Sequence, residues 1–285
     1  MRTLIWKKEA ASLQDGVLTL KFRRGSEPLH IPFPPLKREL GEISVVRIKA
    51  RFHHKHLKWF SVHITHDLGI PEYRKEGLLA AIDINYAIWA MSLSDGSQYL
   101  FKLQELAAKH QYRAKTLACF QGRIDRCQPG SRRRKKYQEA KYRFLARIDA
   151  QIQLKEHALT RTIADISASS DVAEVIVGHL KDLRRLARKG GKNHKANQKI
   201  NNQMPYARMI GKLDYKLKMR HIRQRGGAER DTSRDCATCR AYTPSSRVDR
   251  GLWISRECGT VKHADLNSSQ NLFKKAKERR FGYAK

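Results

Sequence analysis

The sequence is poor in acidic residues and has no long hydrophobic run. Asp and Glu number 27, against 59 Lys and Arg, so the 285-residue chain carries a formal net charge of +32. Cationic side chains in such excess attract polyanions, and their spread along the whole chain favours nucleic acid over membrane as the partner. No stretch approaches the roughly 18 apolar residues that a membrane-spanning helix needs. The sequence therefore predicts a nucleic-acid-binding protein without a transmembrane helix.

Cysteine is also scarce, and the amino end has no apolar core of the length found in secretory signal peptides. We therefore expect the chain to stay in the reducing cytoplasm, where its five cysteines are free or metal-bound rather than disulfide-bonded. With 40% hydrophobic residues, the chain can bury a real core in one large domain or two.

Two short apolar runs predict a hairpin of buried strands. They are Leu78–Ile84 and the segment Asn85–Leu93, which ends before the turn signal Asp95-Gly96. Asp83 lies near the end of the first run, where burial of an acid is costly unless a cation offsets it. A lone Asp at a strand end more often caps a turn. Two later acids, Glu229 and Asp265, favour the functional interpretation.

The chain on either side of this hairpin has a distinct pattern. Before it, residues 13–66 alternate as β-strands interrupted by a proline cluster, which predicts a small β-barrel-like module at residues 1–70. After it, a helical stretch is divided by Gln128-Pro129-Gly130, and its second arm runs from about Arg132 to Ile166.

One face of that second arm is almost purely positive. Because acids are sparse on it, pairing between neighbouring turns cannot be its purpose, and phosphate contact is favoured over a merely solvated helix face. The candidate nucleic-acid-binding residues here are Arg132, Arg133, Arg134, Lys135, Lys136 and Arg143. The apolar-poor segment 184–202 adds Arg184, Arg185, Lys189 and Lys192.

The cysteine spacing near the carboxyl end is that of a metal site. Cys236 and Cys239 form one C-x-x-C pair, and a second pair would be complete if position 255 were Cys, but it is Ser255, followed by Cys258. Four thiolates at this spacing form a tetrahedral zinc ribbon, and a serine is a poor zinc ligand. Two alternatives stay open: three cysteines bind zinc with a neighbour such as His263, or the ribbon has decayed.

The order of these features resembles the TnpB (OrfB) family of insertion-sequence proteins. These are RNA-guided DNA nucleases with a RuvC core, related to type V CRISPR effectors and to Fanzor. The resemblance covers essentially the whole chain and rests on four stretches in the same order: Ala81–Asn85, Val175–Arg184, Glu229–Cys239 and His263–Asn271.

The resemblance implies a mixed α+β and α/β fold built around an RNase H-like RuvC core, a mixed sheet with helices. The core would comprise residues 71–232 and 262–285, with the basic helical insertion at about 102–170. Residues 233–261 would form an inserted zinc-ribbon-like knuckle, and residues 1–70 a wedge-type β module.

The resemblance also implies a catalytic site of three acids, Asp83, Glu229 and Asp265, that hold two Mg²⁺ ions. Mg²⁺ prefers oxygen ligands, and a pair of such ions activates water and stabilises the leaving oxygen of a phosphodiester. The usual second-motif glutamate is absent, since Gly178 and His179 occupy its place. Glu229 is the expected replacement, ahead of two lesser candidates, Glu174 and Asp182.

The implied function is that of a transposon-encoded, RNA-guided, metal-dependent DNA endonuclease associated with transposition and DNA recombination. Guide RNA and target DNA would be its partners, in a prokaryotic cytoplasm close to the nucleoid. The incomplete cysteine set and an amino end shorter than in the relatives suggest an alternative, a cleavage-deficient nucleic-acid binder from a truncated or decaying transposon copy. Convergence of the acids distinguishes the two.

Overall fold

The structure, a computed structural model, divides into two compact units, Met1–Pro71 and Glu72–Lys285. It describes residues 2–23, 25–34, 41–53, 56–67, 69, 71–178, 204–227, 231–243, 246–249 and 251–280. The candidate residues Glu229, His179, Asp182, Arg184, Arg185, Lys189 and Lys192 lie outside these ranges.

The first unit consists of two antiparallel three-stranded sheets around one small core. Its strands are Arg2–Lys7 (β1), Ala11–Gln14 (β2), Val17–Leu20 (β3), Leu29–Pro32 (β4), Glu42–His53 (β5) and His56–Asp67 (β6). The sheets have the orders β1-β5-β6 and β2-β3-β4. Trp6, Leu18, Leu20, Val46 and Ile48 are buried between them, because alternate residues of each strand point to one face. The predicted β module therefore takes the form of two paired sheets.

The second unit is built on a five-stranded mixed sheet. Its strands are Leu78–Ile84 (β7), Ile88–Leu93 (β8), Gln98–Lys102 (β9), Val172–Gly178 (β10) and Arg223–Gly227 (β11), in the order β11-β10-β7-β8-β9. The predicted hairpin is confirmed, since β7 pairs antiparallel with β8. On its other side β7 pairs in parallel with β10, which pairs in parallel with β11. Strand β7 is thus central.

Within the described residues, four helices flank this sheet: Gln104–Asp125 (α1), Arg132–Ser169 (α2), Tyr206–Lys218 (α3) and Ala264–Arg280 (α4). The predicted break is confirmed between α1 and α2, where Gly130 has a positive φ of 78° and Ser131 caps α2 by accepting the Arg134 N–H. No described helix has the length and apolarity needed to cross a membrane.

The two faces of the sheet bury different helices. Ala80, Ile82 and Ile84 of β7 share a core with residues of α1, α2 and α3, whereas Ala81 faces the other way and packs with Leu272 of α4. Because successive side chains of a strand alternate between faces, a strand covered on both sides must be apolar throughout. This explains the continuous apolar run that surrounds Asp83.

Helix α4 lies so close to the sheet that one position of β11 must be glycine. A Cβ atom at Gly227 would lie 2.6 Å from Ile176 Cγ2 and 2.7 Å from Leu272 Cδ1, closer than packed carbon atoms approach. A small antiparallel hairpin, Leu252–Ile254 (β12) and Val261–His263 (β13), leads directly into this helix.

Candidate functional site

Two of the predicted acids meet at one edge of the five-stranded sheet. Asp83 stands one residue before the end of β7, and Asp265 lies in the first turn of α4. The side-chain amide of Asn85 joins them: Nδ2 donates to Asp83 Oδ2 at 2.8 Å and to Asp265 Oδ1 at 3.0 Å. The two carboxylate oxygens are therefore at most two hydrogen-bond lengths apart.

This acid pair resists full ionisation. Burial raises the pKa of Asp83 to about 7, and the nearby charge of Asp265 adds to the rise, although Asn85 and Arg247 act in the opposite direction. Burial also raises the pKa of Asp265, against the favourable charges of Arg247 and His263. Two neighbouring carboxylates whose ionisation is disfavoured form a favourable site for a cation.

Two basic side chains surround Asp265. Arg247 Nη2 lies 3.5 Å from Asp265 Oδ1. His263 Nδ1 accepts a hydrogen bond from the backbone N–H of Asp265 at 3.3 Å and lies 3.9 Å from its Oδ2. His263, considered from the sequence as a fourth zinc ligand, thus belongs to the surroundings of the acid pair and caps the start of α4.

The strand register shows which end of β10 and β11 lies level with Asp83. Val177 of β10 pairs with Ile82, and Gly178 pairs with Gly227, so β10 and β11 end at the same edge of the sheet as Asp83. Glu229 follows Gly227 by two positions.

Glu174, by contrast, pairs with Leu79 at the far end of β7. The register separates it from Asp83 by about four residues, or roughly 13 Å at the usual rise of a strand. Its Oε1 atom lies 2.7 Å from Arg225 Nε. The structure does not bring Glu174 to the acid pair.

Two buried asparagines, which the sequence did not distinguish as functional, fasten α4 to the cysteine region. Asn267 Oδ1 accepts the Ala237 N–H at 2.9 Å, and its Nδ2 donates to the Asp235 carbonyl at 2.8 Å. Asn271 Nδ2 also donates to the Asp235 carbonyl, at 2.6 Å. Both asparagines are buried, and buried polar side chains need hydrogen-bond partners, but the sequence does not show which residues are buried.

Three cysteine sulfurs converge next to this helix. The Sγ atoms of Cys236, Cys239 and Cys258 all lie within 4.8 Å of one another, the one such group of potential metal ligands in the described part of the chain. Cys236 Sγ is 3.7 Å from Cys258 Sγ, and Cys239 Sγ is 3.8 Å from Ser255 Oγ. A tetrahedral zinc ion with sulfur ligands at 2.3 Å separates them by about 3.8 Å, so these spacings fit zinc.

Hydrogen bonds favour the thiolate form that zinc requires at Cys236 and Cys258. At Cys239 the backbone hydrogen bond of Ala241 lowers the pKa, but burial and the neighbouring thiols outweigh it and the net shift is upward. The hydroxyls of Ser255 and Thr260 lower the pKa of Cys258 to about 6. Burial acts to raise the pKa of Cys236, but the backbone N–H groups of Cys239 and Thr238 outweigh it, and the net shift is downward. Because Ser255 is buried within this group, its hydroxyl, and not His263, lies at the fourth corner.

The predicted basic face of α2 divides into exposed and structural residues. The exposed ones are Arg132, Arg133, Lys135, Lys136 and Arg143. Arg134 instead donates from Nη1 to the carbonyls of Ile124 and Cys127, at 3.2 and 3.1 Å, and so closes the end of α1. A cleft of about 500 Å³ at this turn is lined by Arg123, Arg126, Arg133 and Tyr137, among others.

A buried ion-pair cluster joins α2 to α3. Glu156 is fully buried, with Arg208 Nη2 at 2.5 Å and Lys212 Nζ at 2.7 Å. Burial alone would raise the pKa of Glu156, but the nearby His110 and hydrogen bonds from Arg208 and Lys212 lower it to about 2. No sequence pattern predicts this cluster, because a single Glu on a charged helix resembles any solvated residue.

Comparisons with known proteins agree with this architecture. Residues 206–272, which include Cys236 and Asp265, match the family model described as Cas12f1-like, TNB domain. The fold is similar to that of a chain in the cryo-EM structure of a Cas12f1–sgRNA–target DNA complex, with a TM-score of 0.56 and 18% sequence identity over 81% of this chain. No curated protein matches the sequence.

Two further solved structures match with lower TM-scores. A CRISPR-Cas12f ternary complex matches with a TM-score of 0.49 and 19% identity, over 81% of this chain. CasPhi-2 (Cas12j) bound to crRNA matches with a TM-score of 0.42 and 12% identity, over 70% of this chain and 47% of that one. The chain covers 45% of both Cas12f chains, so it spans less than half of their length.

Proposed function

From the confirmed resemblance to TnpB-like proteins related to type V effectors, we propose that this chain is an RNA-guided, metal-dependent DNA endonuclease of RuvC type. The observation that carries the proposal is the meeting of Asp83 and Asp265 on one amide at the sheet edge. Acids on a central strand and at the start of a closing helix are the arrangement that the resemblance implies for this core.

The site suits magnesium. Its donors are carboxylate oxygens, the ligands that Mg²⁺ prefers. Burial and the nearby charge of Asp265 raise the pKa of Asp83, and a divalent ion would offset both effects. Mg²⁺ ions bound there would activate a water molecule and stabilise the leaving oxygen of a DNA phosphodiester. Asp83 and Asp265 would hold the ions, and Glu229 would complete the set from the chain that follows β11.

The proposed partners are a guide RNA and the DNA strand that pairs with it. The Cas12f1 structure with the similar fold is described as a complex with sgRNA and target DNA, and the exposed cations of α2 offer this chain a phosphate-binding surface. Pairing between guide and target would then supply most of the sequence specificity. We extend the proposal to the basic positions Arg184, Arg185, Lys189 and Lys192, which lie outside the described residues, and to an origin in a transposon.

A cleavage assay tests the proposal. The full chain is purified with co-expressed RNA, the RNA is sequenced, and Mg²⁺-dependent cleavage of matched DNA is measured. Asp83→Ala, Asp265→Ala and Glu229→Gln are each expected to slow cleavage at least about a hundredfold. Mutation of residues that only hydrogen-bond to metal ligands already lowers activity by up to about a hundredfold, and the loss of a ligand should cost more.

Two matched variants serve as controls in this assay. Asp95→Ala removes an exposed acid from the β8–β9 turn, where Asp95 accepts only the Ser97 N–H, and Glu174→Gln alters the acid at the far end of the sheet. Both are expected to cleave like the wild type. Equal cleavage by wild type and Asp83→Ala would contradict the nuclease and leave a nucleic-acid-binding protein.

A further inference from the structure

Asn85 stands where a cation would be expected. Its side chain is half-buried, and a single nitrogen, Nδ2, is the hydrogen-bond donor to both Asp83 Oδ2 and Asp265 Oδ1. The amide orientation follows from chemistry, because carboxylate oxygens accept hydrogen bonds and only the nitrogen end of the amide can donate to them.

The backbone holds Asn85 in this position. Asn85 N–H donates to the Ile88 carbonyl at 3.1 Å, which closes the tight turn between β7 and β8. The next residue but one, Ala87, accepts the Leu103 N–H at 2.7 Å, so the turn is fixed on both sides. The amide therefore reaches the two acids from a rigid support.

A divalent ion that bridges the same two oxygens conflicts with this amide. Mg²⁺ requires oxygen ligands at about 2.1 Å, and an ion that close to Asp83 Oδ2 and Asp265 Oδ1 would face the partly positive hydrogens of Nδ2. The amide nitrogen and the ion therefore cannot contact these two oxygens at the same time.

We propose that Asn85 is a positioning residue whose amide holds Asp83 and Asp265 together in the metal-free protein and leaves them when a divalent ion binds. The inference rests on the proposed function, since it assigns a role toward the metal of that site. Its consequence is that Asn85 makes the metal-free state more stable and thereby weakens metal binding.

Mn²⁺ binding to the full chain, freed of nucleic acid, tests this inference. Mn²⁺ is titrated by calorimetry and counted by electron paramagnetic resonance, and the part of the binding that Asp83→Asn removes is assigned to the site. Asn85→Ala removes both hydrogen bonds to the acids from the metal-free state and is expected to tighten that binding at least about tenfold, the equivalent of one hydrogen bond to a charged group. Asn85→Ser keeps one hydrogen-bond donor, so its affinity for Mn²⁺ is expected to lie between those of the wild type and Asn85→Ala. This variant replaces Asn85→Ala in the test if Asn85→Ala does not fold.

Thermal melting gives a second measurement that a purely structural role would not produce. In EDTA, Asn85→Ala should have a lower melting temperature than the wild type. Saturating Mn²⁺ should reduce this difference in melting temperature, because a ligand that binds more tightly stabilises the folded state more. Gln98→Ala removes an exposed amide from β9 of the same sheet and should change neither measurement.

Two results would overturn the inference. If Asn85→Ala and Asn85→Ser bind Mn²⁺ as well as the wild type or less well, the amide does not compete with the metal, although an Asp83-dependent site still supports the proposed function. If no Mn²⁺ binding depends on Asp83 in any variant, both the inference and the metal site of the proposed function are wrong.

Discussion

Asp83 has unusual acid–base chemistry because of where its strand lies. A central strand with both faces covered removes its carboxyl group from water, and Asp265 adds a second negative charge close by. Each effect disfavours the ionised form. A divalent cation would favour the ionised carboxylate of Asp83, so metal binding would be coupled to the release of a proton.

This gives a prediction for the metal-free protein. The raised pKa of Asp83, about 7 against an ordinary 3.8, means that the folded state binds a proton between these values and the unfolded state does not. Stability should therefore fall as the pH rises toward 7. Between pH 5.5 and 7.5, the free energy of unfolding of the wild type should fall by about 2 kcal/mol relative to Asp83→Asn.

Urea unfolding in EDTA at these two pH values measures this difference. The comparison with Asp83→Asn cancels the titration of the histidines and other groups common to both proteins. A difference that stays constant, or that changes in the opposite direction, would contradict the raised pKa. With saturating Mg²⁺ the difference should disappear or reverse, because the metal holds Asp83 ionised.

The group of Cys236, Cys239 and Cys258 has spacings that fit a metal ion, with Ser255 beside it. Ser255 Oγ accepts the Cys258 N–H at 3.2 Å and lies at the corner of the group where a fourth sulfur would complete a zinc ribbon. The other three sulfurs keep zinc-compatible spacing, and Asn267 and Asn271 bind the knuckle to the helix that carries Asp265. Zinc binding and the position of Asp265 are therefore connected through α4.

We accordingly expect Ser255→Cys to bind zinc more tightly than the wild type, because it supplies the fourth thiolate of a tetrahedral site. Zinc content after purification and competition with a chromophoric chelator measure the change, and Cys236→Ser should bind less zinc than either. Absence of zinc from both the wild type and Ser255→Cys would favour the decayed ribbon.

At the scale of the whole molecule, the chain has a net charge of +32, and the positions of its few acids determine where the excess positive charge lies. Several are committed to ion pairs within the second unit: Asp149 with Arg113, Asp165 with Arg220, and Glu156 with Arg208 and Lys212. The exposed cations of α2 are thus left with little local compensation, which suits them to phosphate.

RNA binding should therefore weaken steeply with salt. Replacing Arg132, Lys135 and Lys136 together by Gln should reduce the slope of log K against log salt by about two to three, or roughly one for each lost phosphate contact. Filter binding across a series of salt concentrations measures the slope.

Arg134→Gln is the matched control on the same helix. Its guanidinium is engaged with the carbonyls at the end of α1, so the substitution should lower the melting temperature and leave the salt slope unchanged. An unchanged slope in the triple variant would show that this face of α2 does not contact phosphate.

Several features of this protein follow from the sequence alone. Apolar runs and turn signals predict the β7–β8 hairpin and the break between α1 and α2, because strand and helix periods and the conformational limits of Pro and Gly are local properties. The C-x-x-C spacing likewise predicts a cysteine cluster, and the resemblance to the TnpB family rests on the order of the motifs. These signals act over short stretches of chain.

Only the tertiary structure decided which polar groups meet. It placed Asn85 between two acids, His263 beside Asp265 and away from the sulfurs, Arg134 on the end of α1, and the buried Glu156 beside Arg208 and Lys212. Each of these contacts joins separate elements, and its energy depends on burial and on a partner that no local pattern specifies. The sequence determined which elements form and which chemical groups they carry, and packing determined which of those groups come together.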